Sequence, residues 1–87
     1  MSAELETLDQ LLGGDMPLQI IRGVYPDDKT FAIGIHALLR NGDVRLFFQG
    51  TEVPQWRWRA LFEAGEVTFE IAKFKLALTS QGARRIS

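Results

Sequence analysis

The feature that most constrains the fold is a pattern that occurs twice, 23 residues apart. The segment HALLRNGDVRLFF (36–48) aligns with RALFEAGEVTFEI (59–71), and both fit A-L-[LF]-x-x-G-[DE]-V-x-[LF]-x-[FI]. A glycine in the left-handed conformation commonly ends a helix. The alternation of apolar and polar residues after the glycine is typical of a strand. The pattern therefore predicts a helix–glycine–strand unit that occurs twice in the chain.

The repeat decides between two interpretations of the first copy. Asn41-Gly42 on its own favours the turn of a β-hairpin. Four apolar residues before it share one helical face; they are Phe31, Ile35, Leu38 and Leu39. Asp28 is suited to cap the start of such a helix, although Gly34 costs it about 1 kcal/mol relative to alanine. We therefore predict a helix that ends at the glycine.

The segment EVPQWRWRALFEAG (52–65) is assigned to the second helix, with Thr51 as its N-cap. At about 100° per residue, Trp58 points into the core with Leu61 and Phe62, and Trp56 points outward roughly 160° away. The alternative is a strand, in which both tryptophans would share a face. The repeat and the cap favour the helix.

The remaining segments complete the predicted order. Residues 3–12 have the leucine spacing of an amphipathic helix, and residues 17–24 and 74–79 have strand-like patterns. The order α-β-α-β-α-β-β predicts an α+β or small α/β fold. We expect a mixed sheet that ends in an antiparallel hairpin formed by residues 67–71 and 74–79.

The 87 residues are expected to form one domain. Residues 1–15 are interpreted as an acidic leader helix with a Gly-Gly linker, 16–80 as a small α/β domain, and 81–87 as a basic flexible tail. Charge is divided unevenly along the chain. Residues 1–28 carry a net charge of −5 and residues 29–87 a net charge of +4.

Composition bears on several classes of function. The chain has no cysteine, which excludes disulfides, thiol catalysis and cysteine-based zinc sites. Its single histidine, His36, has no carboxylate at helical spacing that would orient it, and no nucleotide or metalloprotease motif is present. No segment reaches the roughly 18 apolar residues of a membrane span, and we see no signal peptide. We therefore expect a cytoplasmic protein without enzymatic activity, cofactor or metal.

The repeat also predicts a surface for a partner. Ile33 and Trp56 occupy matching positions in the two helices and should both point away from the sheet. Exposed apolar residues at matching places form a patch that should be covered. The leucine face of the leader can cover it, either within one chain or from a second copy, and the acidic leader would complement Arg59. In a third interpretation Trp56 is a core residue beneath the leader.

The first functional prediction is a non-enzymatic protein-interaction or regulatory module that self-associates as a homo-oligomer. Its predicted partner-binding residues are Leu5, Leu8, Leu12, Ile33, Trp56 and Arg59.

A different function is suggested by residues 60–82. This segment resembles the back half of winged-helix transcription regulators, which end a recognition helix with Leu, Gly and Val, extend a two-stranded wing and return through L-T-x-x-G. The matching residues here are Leu61, Gly65, Val67, Leu78, Thr79 and Gly82. The resemblance implies nucleic-acid binding, with Trp56 as a stacking platform. The cations assigned to that role are Arg57, Arg59, Lys73, Lys75, Arg84 and Arg85.

A third prediction is a small-ligand site. In open α/β sheets, ligands bind beyond the carboxyl ends of parallel strands. The corresponding loops are residues 25–28 and 50–52, and both carry acids, which argues against phosphate. The adjacent Asp27 and Asp28 could ligate a hard cation, but acids before a helix more often serve as caps.

Overall fold

A computed structural model describes residues 2–86, and its fold is α+β, as predicted. The helices are α1 (Ala3–Leu11), α2 (Leu18–Ile21), α3 (Asp28–Arg40), α4 (Trp58–Phe62) and α5 (Ser80–Ile86). The strands are β1 (Met16–Pro17), β2 (Val44–Phe48), β3 (Thr51–Glu52) and β4 (Phe74–Leu78). Turns of 3₁₀ helix occupy Arg22–Val24, Gln55–Arg57 and Glu66–Lys73.

The four strands form one sheet in the order β1-β4-β2-β3. Each neighbouring pair is antiparallel, so the expectation of a mixed sheet is wrong. Leu76 of β4 lies opposite Met16 on one side and Leu46 on the other. Strand β4 is therefore central, and both of its edges are already paired.

The core lies between one face of this sheet and helices α1, α2 and α3. Along β2 and β4, Leu46 and Leu76 are buried while Arg45 and Lys75 are exposed, which is the alternation of a sheet with one solvated face. The predicted inner face of α3 is confirmed. All four of its apolar residues are buried: Phe31, Ile35, Leu38 and Leu39.

The predicted strand at residues 17–24 is wrong beyond Pro17. Leu18–Ile21 is helical and continues into the 3₁₀ turn Arg22–Val24. Leu18 and Ile21 are three residues apart and both fully buried, whereas Ile20 between them is 54% exposed. A spacing of three residues between buried positions is typical of a helix. The sequence did not reveal it, because a short apolar run is compatible with either a helix or a strand.

The two copies of the repeat agree at the glycine and differ after it. Gly42 and Gly65 have φ angles of 80° and 78°, the left-handed conformation expected of glycines that end helices. The first copy continues into β2, but the second continues into the 3₁₀ helix Glu66–Lys73. The predicted C-terminal hairpin is therefore wrong, since β1 and β2 already occupy both edges of β4.

The tryptophan-rich segment is helical, as predicted. Gln55–Arg57 forms a 3₁₀ turn that leads into α4. Leu61 and Phe62 are buried, and Trp56 is 80% exposed. Thr51 does not cap this helix, because Thr51 and Glu52 pair with β2 as the edge strand β3.

The leader is part of the core. Ser2 caps α1 by accepting a hydrogen bond from the Leu5 N–H at 3.2 Å, and Leu8 and Leu11 are buried. Thr7 donates its hydroxyl proton to the Ala3 carbonyl (2.8 Å), so the Tyr25 hydroxyl donates to Thr7 (2.9 Å). Burial raises the pKa of Tyr25 above its usual value.

Tyr25 also explains why a glycine stands at position 34 in the middle of α3. A Cβ at this position would lie 2.7 Å from Cε1 of the buried Tyr25 ring. The missing side chain therefore makes room for Tyr25, which offsets the helix propensity lost at a mid-helix glycine.

Residues 81–86 of the predicted flexible tail (81–87) belong to α5 (Ser80–Ile86), which is tied to the start of β2, and Ser87 lies outside the described residues. The Thr79 hydroxyl donates to the Gly42 carbonyl (2.6 Å) and accepts from the Gly82 N–H (3.0 Å). The side chain of Asp43 is fully buried, pairs with Arg85 and accepts from Gln81 at 3.3 Å. The L-T-x-x-G sequence thus has a local structural role, joining the end of β4 to the loop before β2.

The two-stranded wing that the winged-helix resemblance implies within residues 60–82 does not form, because Val67 lies in the 3₁₀ helix Glu66–Lys73. The strand that pairs with β4, and so leads back to L-T-x-x-G, is β2. The helix before β2 is α3, which is followed by Gly42 and Val44.

Candidate functional site

The outer side of α3 forms one wall of a groove of about 530 Å³. Residues 62–68, at the end of α4 and the start of the following 3₁₀ helix, form the other wall. The groove exists because residues 49–73, between β2 and β4, pack against α3 through α4 and against α2 through the 3₁₀ helix. No helix within residues 2–86 is long and apolar enough to cross a membrane.

The floor of the groove is apolar. It is formed by Ala32, Ile33, Phe62 and Val67. The His36 ring stacks on Phe62, with ring centroids 5.9 Å apart and planes 21° apart, which holds α4 against α3. Ile33 remains 59% exposed. The groove therefore offers an accessible aliphatic side chain beside a buried aromatic ring.

The rim of the groove is charged, and its acids already have partners. Asp28 accepts from Arg22 at 2.7 Å, and Glu63 accepts from Arg59 at 2.7 Å. By contrast, neither Lys29 nor Arg40 has a carboxylate within ion-pair distance among residues 2–86. Among the residues that the structure describes, the groove lining thus combines apolar side chains with two cations that have no ion-pair partner.

His36 is a titratable residue of the groove lining. Burial and the nearby Arg40 lower its pKa from the ordinary value of 6.5, and Glu63 opposes the shift. Because the unfolded chain binds a proton more readily than the folded one, stability is lost as the pH falls from 6.5 through the lowered pKa.

We expect the free energy of unfolding, measured with urea above and below pH 6.5, to decrease on acidification in this window. His36→Gln should flatten the decrease. An unchanged pH dependence in this variant would contradict the assignment to His36. Asp27 contributes to the pH dependence of stability only at lower pH, because the hydrogen bond that it accepts from the Thr30 backbone lowers its pKa from the ordinary value of 3.8.

The structure separates the residues predicted to bind a partner. Leu8 is in the core and Leu5 is half-buried, while Leu12 is 57% exposed on α1. Ile33 lies in the groove, and Arg59 is held at its rim through Glu63. The exposed Trp56 lies outside the groove lining, so the interpretation that the leader buries it is wrong.

Some groove residues could have been found from the sequence. Lys29, Ile33, His36 and Arg40 fall at i, i+4, i+7 and i+11, which is one helical face opposite the core face. The sequence did not indicate that Phe69, which lies outside the groove lining, is exposed. The strand interpretation placed it on the same face as Val67.

The cations assigned to nucleic-acid binding are partly engaged elsewhere. Arg59 pairs with Glu63, Lys73 with Glu70 at 3.0 Å, and Arg85 with the buried Asp43. Lys75 is exposed on the outer face of the sheet, Arg57 is half-buried in the 3₁₀ turn before α4, and Arg84 lies in α5. The paired members present less net positive charge than the sequence suggested.

The loops predicted to bind a small ligand use their polar groups internally. Asp27 accepts from the Thr30 N–H at 2.7 Å, and Arg22 donates to both Asp28 and the Tyr25 carbonyl. Residues 50–52 form the turn into β3. Since every strand pair is antiparallel, the sheet has no edge at which the carboxyl ends of parallel strands meet to bind a ligand. Within residues 2–86, no three His, Asp or Glu side chains are grouped as metal ligands.

A second cleft of about 570 Å³ lies between β2, α4 and α5. Trp58 lines it, and its buried indole N–H has no hydrogen-bond partner within the described part of the chain. The other lining residues include Arg45, Glu52 and Ser80, so this cleft is more polar than the groove on α3.

Comparison with known proteins identifies no relative, since the chain matches no family model, no curated protein and no solved structure at significant similarity.

Proposed function

We propose that the protein is a small non-enzymatic interaction module that binds a segment of a protein in the groove on α3. The observation that supports this most directly is the 59% exposure of Ile33 on an apolar floor beside Phe62. Exposed apolar surface rimmed by polar residues is typical of protein-binding sites.

The dimensions of the groove favour anchoring side chains. About 530 Å³ accommodates a few large apolar side chains from a helix or loop that lies across the opening. Affinity in such interfaces comes mainly from a few central anchors, and a polar rim excludes water around them. Ile33, which is exposed in the groove, is the apolar contact that we assign to the centre, and the charged residues of the lining supply selectivity.

Nucleic-acid binding is the second candidate, and the sequence resemblance of residues 60–82 to winged-helix regulators favours it. In that architecture the recognition helix enters the major groove of DNA. Here α4 packs beside the outer face of α3, and the His36–Phe62 stack lies where bases would approach. The net charge of −1 also reduces attraction to phosphates. We therefore rank this function below protein binding.

The proposal is tested by capturing partners of the tagged protein from lysate of its native cells, with and without nuclease. We expect Ile33→Asp to reduce the retained partner at least tenfold, because it places a charge at the centre of the interface. Ile20→Asp is a matched control, since Ile20 is 54% exposed but lies outside the groove lining.

The outcomes separate the two candidates. A protein retained by the wild type and by Ile20→Asp after nuclease treatment, but lost from Ile33→Asp, supports docking in the groove. Equal retention by both variants contradicts it. If the retained material disappears with nuclease, the nucleic-acid function is favoured, and its binding should then weaken steeply with salt.

A further inference from the structure

We propose that the segment bound in the groove is α1 of a second copy of this chain, so that copies associate head to tail. This inference rests on the proposed function, because it names the occupant of the same groove. It follows from unpaired charges of opposite sign on two exposed surfaces of one molecule.

The outward face of α1 has the composition that the groove requires. Leu8 and Leu11 are buried, which turns Glu6 and Asp9 toward solvent. Leu5, Asp9 and Leu12 fall at i, i+4 and i+7 and therefore lie on one side of the helix. Leu12 is 57% exposed and available as an apolar anchor.

The charges of the two surfaces are complementary. Glu6 and Asp9 have no cationic partner among residues 2–86. Lys29 and Arg40 on the groove likewise have no carboxylate partner there. An interface that joins them would pair charges that the single molecule leaves uncompensated, and complementary charges set the register and the rate of association.

The contact must form between copies. Leu8 and Leu11 anchor α1 in the core, together with the buried face of α3 that includes Phe31 and Ile35. The groove uses the opposite face of α3, so α1 cannot reach the groove of its own chain without leaving the core. Because α1 packs on the core face of α3 and the groove lies on the opposite face, the two surfaces of one molecule face different neighbours. Such a head-to-tail interface is heterologous and generates a ring or an open chain.

The experiment reverses the charge of each surface in turn. One variant carries Glu6→Lys with Asp9→Lys, and the other carries Lys29→Glu with Arg40→Glu. All four side chains are exposed, so both variants should fold. Sedimentation velocity over a concentration series measures association. Lys75→Glu with Arg57→Glu, at positions outside the groove, controls for the change in net charge of the second variant.

We expect the wild type and the control to associate in a salt-sensitive manner, and each charge-reversed variant to require at least tenfold higher concentration. An equimolar mixture of the two variants should regain association, because every groove then meets an α1 of opposite charge. A wild type that stays monomeric, variants that associate normally, or a mixture that fails to recover would each overturn the inference. If the chain does not associate with itself but Ile33→Asp still fails to retain a different protein that the wild type retains, only the identity of the bound segment is wrong. If neither self-association nor capture depends on the groove, the groove is not a docking site.

Discussion

Gly82→Ala is expected to lower the free energy of unfolding by about 2 kcal/mol or more, because inserting an extra methyl group into a tightly packed site typically costs about 1–3 kcal/mol. A Cβ at Gly82 would lie closer than 3.0 Å to the carbonyl oxygen of Asp43, which is backbone and cannot rotate away. Relief would require α5 to separate from the start of β2. The separation would also weaken the pairing of Arg85 with the buried Asp43.

Urea unfolding measures this effect, and Gly23→Ala is the matched control. A Cβ at Gly23 would meet no atom within 4 Å, and its φ angle is not in the left-handed region. Gly23→Ala should therefore be neutral or slightly stabilising, because alanine reduces the entropy of the unfolded chain. If the two variants had equal stability, the contact between α5 and Asp43 would not be present in solution.

Leu8→Ala is expected to lower the free energy of unfolding by about 3 kcal/mol, as for other large-to-small substitutions in a core. Leu8 is fully buried in the same cluster as Phe31 and Leu76. Leu12→Ala, at the C-cap of the same helix, is the control, because Leu12 is 57% exposed. Its effect should stay within about 0.5 kcal/mol, as is usual for surface positions.

This comparison determines whether the leader belongs to the domain. A cost of a few tenths of a kcal/mol for Leu8→Ala would mean that α1 is detached in solution and that the folded unit begins near residue 16. The expected larger cost would mean that truncation at residue 16 removes part of the core. Circular dichroism of the truncated chain then provides an independent check.

Local sequence spacing was sufficient to predict several parts of the fold. The inner face of α3, the left-handed Gly42 and Gly65 and the alternation in β2 all depend on neighbouring residues. Hydrophobic periodicity and the conformational freedom of glycine act within a few residues. The opposite orientations of Trp56 and Leu61 were predictable for the same reason.

The parts that could not be predicted depend on distant residues. Val67–Ile71 has strand periodicity, but its conformation is set by β4, whose two edges are occupied by β1 and β2. The role of Gly82 likewise becomes clear only when α5 lies against Asp43, 39 positions earlier in the chain. Sheet order is a global property, and tertiary contacts override local strand propensity.

The candidate site was predictable in part. The charged outer face of α3, from Lys29 to Arg40, follows from helical spacing alone. The second wall was not predictable, because it requires residues 49–73 to fold back so that Phe62 stacks on His36. Asp28 pairs with Arg22 and Glu63 pairs with Arg59, so neither acid pairs with Lys29 or Arg40. These ion pairs also depend on side-chain geometry that the sequence does not specify.

The most direct test of docking on α3 is site-specific photo-crosslinking in the native cells. A photoreactive amino acid replaces Ile33 in one version of the protein and Ile20 in another. We predict a discrete, nuclease-resistant protein adduct from position 33 and none from position 20. If the chain binds itself, the adduct will contain α1 peptides of a second copy. No adduct at position 33, equal adducts at both positions, or crosslinking to nucleic acid would contradict the account.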